Sequence, residues 1–260
     1  MRQFAMVCTV LMMAAGSSMA AIKTKTIEYE YDGTKLIGFL AYDDAAKEKR
    51  PGVLVVHEWW GLNDYAKQRA EELAKLGYVA FCVDMYGDGK TTDHPMEAGK
   101  FATAVRQNLK TWQGRATAGL KVLTAQEQVD PTRLAAIGYC FGGSTALELA
   151  YTGADLKAVA TFHAALPTPT EAQAKAIKAK VVVAHGADDK FIKDEDIAKF
   201  KSALDKADVK LQFDSYPGAV HSFTVKEVDE KKLPGMAYNK NADEKSWVEM
   251  QKLFKEAFAK

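Results

Sequence analysis

The residues in this sequence best suited to covalent chemistry are Gly138-Tyr139-Cys140-Phe141-Gly142-Gly143, in which Cys140 has a glycine two positions away on each side. An apolar run over residues 134–137 leads into them, and a helix-like run over residues 144–151 leads away. A strand, Gly-x-nucleophile-x-Gly and a helix make the sequence form of a nucleophile elbow, with Cys where Ser is usual. The glycines let strand and helix approach where a Cβ would clash. The start of the following helix would turn free N–H groups and the positive end of its dipole toward the thiol, favouring a thiolate and an oxyanion beside it. The competing reading is a buried structural cysteine in a glycine-containing turn.

A thiol nucleophile needs a base, and the base needs an acid that orients it. Downstream of Cys140 comes His185-Gly186-Ala187-Asp188-Asp189, after an apolar run, and then Tyr216-Pro217-Gly218-Ala219-Val220-His221-Ser222-Phe223. Nucleophile, acid, histidine is the chain order of α/β-hydrolases. Of the five histidines, His94 sits in a surface-like loop, and His57, His163 and His185 directly follow apolar runs. Only His221 lies beyond both nucleophile and acid. The residues alone leave the acid open between Asp188 and Asp189, since either could instead cap a following helix.

Upstream, Glu58 stands between an apolar run and Trp59-Trp60. Partial desolvation there would raise its pKa and suit it to exchange a proton with a nearby thiol, although a surface acid in a loop has the same sequence. The backbone N–H of Trp59 is expected to form an oxyanion hole with that of Phe141. Trp60 and Tyr139 are candidate walls of a substrate cleft. No His-x-x-x-His or Cys-x-x-Cys spacing points to a metal, and no cofactor is expected.

These residues need a frame that brings them to one edge. Residues 27–31 and 35–42 read as a hairpin turning at Asp32-Gly33. After it, strand-like runs at 53–56, 78–83, 134–137, 157–162, 180–184 and 209–216 alternate with helical stretches at 64–76, 96–109, 114–126, 191–207 and 241–258. Asn63 or Asp64 can cap the first helix. Alternating strands and helices imply a mostly parallel central sheet with helices on both faces. In such sheets chemistry gathers at the carboxyl ends of strands, which makes His57-Glu58, Asp84, Cys140, His163, residues 185–189 and His221 candidate site walls.

Arg2, an apolar stretch at residues 4–15 too short to span a bilayer, and Ser18-Met19-Ala20 as a small-x-small cleavage site read as a secretory signal over residues 1–20, with an uncleaved anchor as the alternative. Residues 21–260 are then one domain, periplasmic or secreted, with no stable membrane insertion after cleavage. The whole chain carries 35 Lys and Arg against 34 Asp and Glu, so losing Arg2 leaves it formally neutral. No basic patch interleaves with aromatics, and nucleic acid is not an expected partner. Cys8 leaves with the signal. Of the remaining pair, Cys82 lies in an apolar run and reads as a buried free thiol, with a bridge to Cys140 as the alternative in an oxidising compartment.

Four stretches taken together are more specific than any one: residues 58–63 (Glu-Trp-Trp-Gly-Leu-Asn), residues 138–143, residues 186–192 (Gly-Ala-Asp-Asp-Lys-Phe-Ile) and residues 218–223 (Gly-Ala-Val-His-Ser-Phe). With them, the chain from about Val53 onward resembles the dienelactone hydrolase family, small α/β-hydrolases with a cysteine nucleophile. The resemblance implies Cys140 as nucleophile and His221 as base. It implies Asp189 as acid, because the family pattern is Gly, two residues, Asp, two residues and a branched aliphatic. It implies that Glu58 is the glutamate that contacts the resting cysteine and helps switch it to thiolate. Family members acting on dienelactone hold the substrate carboxylate with arginines, one of them four residues beyond the catalytic histidine. Here that position is Val225, with Lys226 beside it, and Arg106 and Arg115 fall outside the motifs.

The expectation is an exported, monomeric hydrolase similar to carboxymethylenebutenolidase, cleaving a small lactone or carboxylic ester through a Cys140-Asp189-His221 triad and an acyl-enzyme. A hydrolase-like binding or stress-related protein with little turnover is the alternative. A cysteine peptidase, which needs an extended substrate groove, is a third class.

Overall fold

The computed structural model describes residues 21–259, so the expected signal at residues 1–20 lies outside the described residues. Eight strands form one sheet: β1 (Ile22–Tyr31), β2 (Thr34–Asp43), β3 (Arg50–Val56), β4 (Val79–Val83), β5 (Val129–Tyr139), β6 (Ala158–Phe162), β7 (Lys180–Gly186) and β8 (Leu211–Tyr216). Their order is β1-β2-β4-β3-β5-β6-β7-β8. The first two pairings, β1 with β2 and β2 with β4, are antiparallel, and all the rest are parallel. Asp32 and Gly33 both take positive φ, 50° and 73°, in the two-residue turn that matches hairpin twist.

The helices are α1 (Asp64–Lys75), α2 (Pro95–Arg106), α3 (Leu109–Thr124), α4 (Phe141–Tyr151), α5 (Glu171–Ala176), α6 (Asp194–Asp205), α7 (Val228–Lys231) and α8 (Lys240–Ala257). Because side chains alternate along a strand, each apolar run feeds two cores. Leu54, Val56, Phe81 and Val83 belong to the core on one face, to which α2, α3, α4 and α6 also contribute. Val53, Val55, Ala80 and Cys82 belong to the core on the other, to which α1 and α8 contribute. Strands covered on both faces are apolar without interruption, which is why the runs at 53–56 and 79–83 lack polar residues. The Asn63 side chain accepts the Ala66 N–H and caps α1.

Two expectations are corrected. The helix expected from Phe191 starts at Asp194, because the Asp189 carboxylate accepts the Phe191 N–H and holds the intervening residues as a turn. Val129-Asp130-Pro131, which reads as a turn in the sequence, is instead the start of β5, which pairs with β3 from Arg50 opposite Val129 before a register shift. The short helices α5 and α7 carry too few turns to leave a periodic signal. Cys82 and Cys140 are both free thiols. No helix among the described residues is long and apolar enough to cross a membrane.

Candidate active site

Cys140 occupies the junction of β5 and α4 with φ 52° and ψ −115°. A positive φ in a non-glycine residue is strained. The contacts around it hold the strain: the Cys140 N–H donates to the Phe162 carbonyl at 2.9 Å. The flanking glycines are sterically required, since a Cβ on Gly138 would overlap the Gly142 carbonyl and one on Gly142 would overlap the Val56 carbonyl. The elbow thus lifts the sulfur above the ends of β3 and β5.

His221 comes from the loop after β8, which bonds to residues 235–237: its N–H donates to the Gly235 carbonyl and its carbonyl accepts the Ala237 N–H, each at 3.2 Å. Its Nε2 lies 3.1 Å from Cys140 Sγ, and its Nδ1 lies 2.8 Å from Asp189 Oδ2. The Asp189 side chain is buried. Asp188 is exposed. Of the two candidate acids, only Asp189 meets the histidine. Burial works against charge on His221, but the Cys140 sulfur and the Asp189 carboxylate outweigh it and push its pKa up to about 10. Both neighbours thus favour the protonated form of the ring.

Glu58 follows β3 and is 2 % exposed. Burial raises its pKa to about 7, against the opposing pull of His221, Ser222 and Lys231. The Ser222 hydroxyl donates to Glu58 Oε1 at 3.1 Å, and His163 Nδ1 lies 3.9 Å from the same oxygen. The contact with the resting cysteine that the family resemblance implies is not among the hydrogen bonds here: the thiol faces His221. Among the described residues, the backbone N–H groups of Trp59 and Phe141 have no protein acceptor.

A cavity of about 390 Å³ opens over the sulfur, lined by Trp59, Arg106, Cys140, Phe191, His221 and Met236 among others. Trp60 stands elsewhere. It is 4 % exposed, lies under Lys231 Nζ at 4.5 Å, and lines a separate hollow of about 400 Å³ with Glu58, Tyr65 and Val225. Tyr139 is fully buried and stacked on Phe162 at 4.7 Å, so it cannot wall a substrate cleft. β-strand alternation is the cause, since it places Tyr139 on the same face as Ile137, toward α1 and α8. A cavity of about 750 Å³ between α5 and α6 is lined by Glu171, Lys175, Ser202 and Lys206 among others, with neither Cys nor His.

The other strand-end residues serve the scaffold. Asp84 accepts backbone N–H groups of Tyr86, Gly87, Gly89 and Ile37, fastening the loop after β4. His163 meets the Thr224 hydroxyl at 2.8 Å, and burial holds its pKa well below the ordinary value. Arg115 donates to the Met85 carbonyl. Arg106, which matches no motif, ends α2 with its guanidinium 5.2 Å over the Phe141 ring and within the cavity. Its only sequence signal is a basic residue in a last helical turn, which says nothing about the cavity it reaches. No cluster of three or more His, Cys, Asp or Glu arranged to hold a metal occurs among the described residues.

The sequence pattern of the family described as the dienelactone hydrolase family matches residues 36–258. A candidate carboxymethylenebutenolidase of Saccharolobus solfataricus is 28 % identical over 256 residues, covering 86 % of this chain and 95 % of that protein. A solved structure titled m3DLH is 40 % identical with a TM-score of 0.89, covering 92 % of this chain and all of the other. A dienelactone hydrolase-like promiscuous phosphotriesterase, P91, from metagenomic libraries is 39 % identical with a TM-score of 0.89, at the same coverage.

Proposed function

The chain belongs to the dienelactone hydrolase family and is a lactone or ester hydrolase, and on that premise we propose that it works through an acyl-enzyme on Cys140. The observation that carries this reading is the unbroken line from Asp189 through His221 to the sulfur, with two unpaired amides beside it. The sulfur attacks the carbonyl carbon, and the carbonyl oxygen takes the charge between the Trp59 and Phe141 N–H groups. The C–O bond then breaks. His221 gives the thiol's proton to the departing oxygen, which in a lactone stays tethered to the acyl group. Water attacks the thioester, His221 takes its proton, and the acid leaves with the thiol restored. Asp189 holds the imidazole in the tautomer and orientation both steps need.

Arg106 places one positive charge in the cavity, which suits a substrate carrying a carboxylate near its acyl carbon. Val225 lines the neighbouring hollow and brings no charge to the cavity over the sulfur. Glu58, with its pKa near neutrality, is the internal proton partner of the site. We place the enzyme outside the cytoplasm on the strength of residues 1–20, acting as a monomer on a small molecule.

The test is to trap the intermediate. A His221→Gln variant incubated with an aryl ester should gain the acyl mass on Cys140, located by peptide mass spectrometry, and Cys140→Ala should gain none. Failure of Cys140 to acylate across a broad panel of esters and lactones would assign the chain to binding instead. A phosphotriester belongs in that panel, because two N–H donors that hold an acyl oxyanion also fit a phosphoryl oxygen, and P91 is described as a promiscuous phosphotriesterase.

A further inference from the structure

His57, at the exit of β3, is fully buried and takes no part in the line from Asp189 to Cys140. Each ring nitrogen has one partner. Nδ1 lies 2.5 Å from the Glu58 carbonyl oxygen, and the Met85 backbone N–H stands 3.2 Å from Nε2. A carbonyl only accepts and a backbone amide only donates, so Nδ1 carries the proton and Nε2 does not. Burial pushes the pKa of this ring down, which keeps it neutral and the tautomer fixed.

The carbonyl that His57 holds belongs to the same peptide plane as the Trp59 N–H. In a trans peptide the C=O and N–H point in opposite directions. Drawing the Glu58 carbonyl toward the imidazole therefore turns the Trp59 N–H away from it, and that amide is left with no protein acceptor. The Gly61 N–H donates to the same Glu58 carbonyl at a longer 3.4 Å, and two further contacts hold the arrangement. The Trp59 carbonyl accepts from the Tyr86 hydroxyl at 3.0 Å, and Tyr86 packs against His57 at 4.9 Å. His57 also stacks on the ring of Phe141, the residue that supplies the second amide, at 5.9 Å and 26°. A half-turn of the Glu58–Trp59 peptide would put a carbonyl oxygen where the N–H stands, and an oxyanion would be repelled.

We infer that His57 is a positioning residue, which aims the Trp59 amide at the oxyanion formed when Cys140 is acylated. This rests on the acyl-transfer reading above. His57 touches neither substrate nor sulfur, so its loss slows the steps that pass through a tetrahedral oxyanion and spares those that do not.

Two reactions of Cys140 separate these cases: acylation by p-nitrophenyl acetate, and alkylation by iodoacetamide, in which sulfur displaces iodide at a saturated carbon and no oxyanion forms. His57→Leu should acylate on the order of 10²-fold more slowly while its alkylation stays within about twofold of wild type. His57→Asn, whose amide nitrogen stands where Nδ1 stood, should recover most of the acylation rate. His57→Gln, whose nitrogen falls near the Nε2 position, should not. If His57→Leu does not fold, the Asn and Gln pair carries the same decision. Equal acylation in all variants, or a parallel fall in acylation and alkylation, would overturn the inference. A wild-type protein that never acylates would overturn the acyl-transfer reading and this inference with it, whereas wild-type acylation matched by His57→Leu overturns the inference alone.

Discussion

The two thiols of the described chain belong to one sheet, on strands β4 and β5 with β3 between them, and live in different chemical worlds. Cys82 sits inside β4, where burial pushes its pKa far up and its Sγ–H donates to the Ala66 carbonyl at 3.3 Å. Cys140 sits just past the end of β5, on strained backbone, beside the His221 imidazole and below an open cavity. The side chains are identical. A thiol in mid-strand is enclosed by two helical layers, whereas one at the carboxyl end meets loops that can bring a base, an acid and a substrate.

Exchanging each thiol for Ala should break the comparison most sharply. Cys140→Ala should lower kcat for small aryl esters by at least about 10³-fold, while Cys82→Ala keeps kcat within about twofold of wild type. Steady-state turnover measures both, and comparable losses would remove the distinction.

The next effect concerns the cost of burying charge near the reactive thiol. Glu58 titrates at about 7 in the fold against an ordinary value of 4.5. A carboxyl with a raised folded pKa contributes its stability below pH 4.5, and loses it as pH rises through 7. Glu58→Gln should therefore gain on wild type by up to about 3 kcal/mol between pH 4.5 and 8. Urea unfolding at a series of pH values reads this gain, and a difference independent of pH would show Glu58 to be solvated.

The smallest effect sharpens what lies above the sulfur. Arg106→Met should raise KM about tenfold for an ester bearing a carboxylate, and leave a neutral ester of the same size unchanged. Equal changes for both substrates would mean that Arg106 packs on Phe141 without reading charge.

Much of this contrast was legible beforehand. The spacing of glycines around Cys140 and the order of nucleophile, acid and histidine carry a covalent site in one dimension. Uninterrupted apolar runs carry a sheet buried on both faces. What remained open turned on single-residue steps. Asp188 and Asp189 differ by one position in a turn that sends the first outward and the second to His221. Trp59 and Trp60 likewise part to two hollows, so the cleft wall expected at Trp60 is supplied by Trp59. Tyr139 could have been placed correctly, since period-two alternation from Ile137 already sends it away from the cavity. Arg106 could not, because helical periodicity describes a face and never the distant loop that face meets. His57 was visible only as a histidine after an apolar run, and its role depends on which carbonyl its ring reaches.

The bridge between His221 and Met236 has a practical side. The segment that shapes the far wall of the cavity, including Leu233, Pro234 and Met236, is sewn to the backbone of the base itself through Gly235 and Ala237. Selectivity and speed therefore share one piece of chain. Trimming that wall to admit a bulkier substrate also slackens the mooring of the imidazole, so a broadened specificity comes with slower turnover unless the two bonds at His221 survive the redesign.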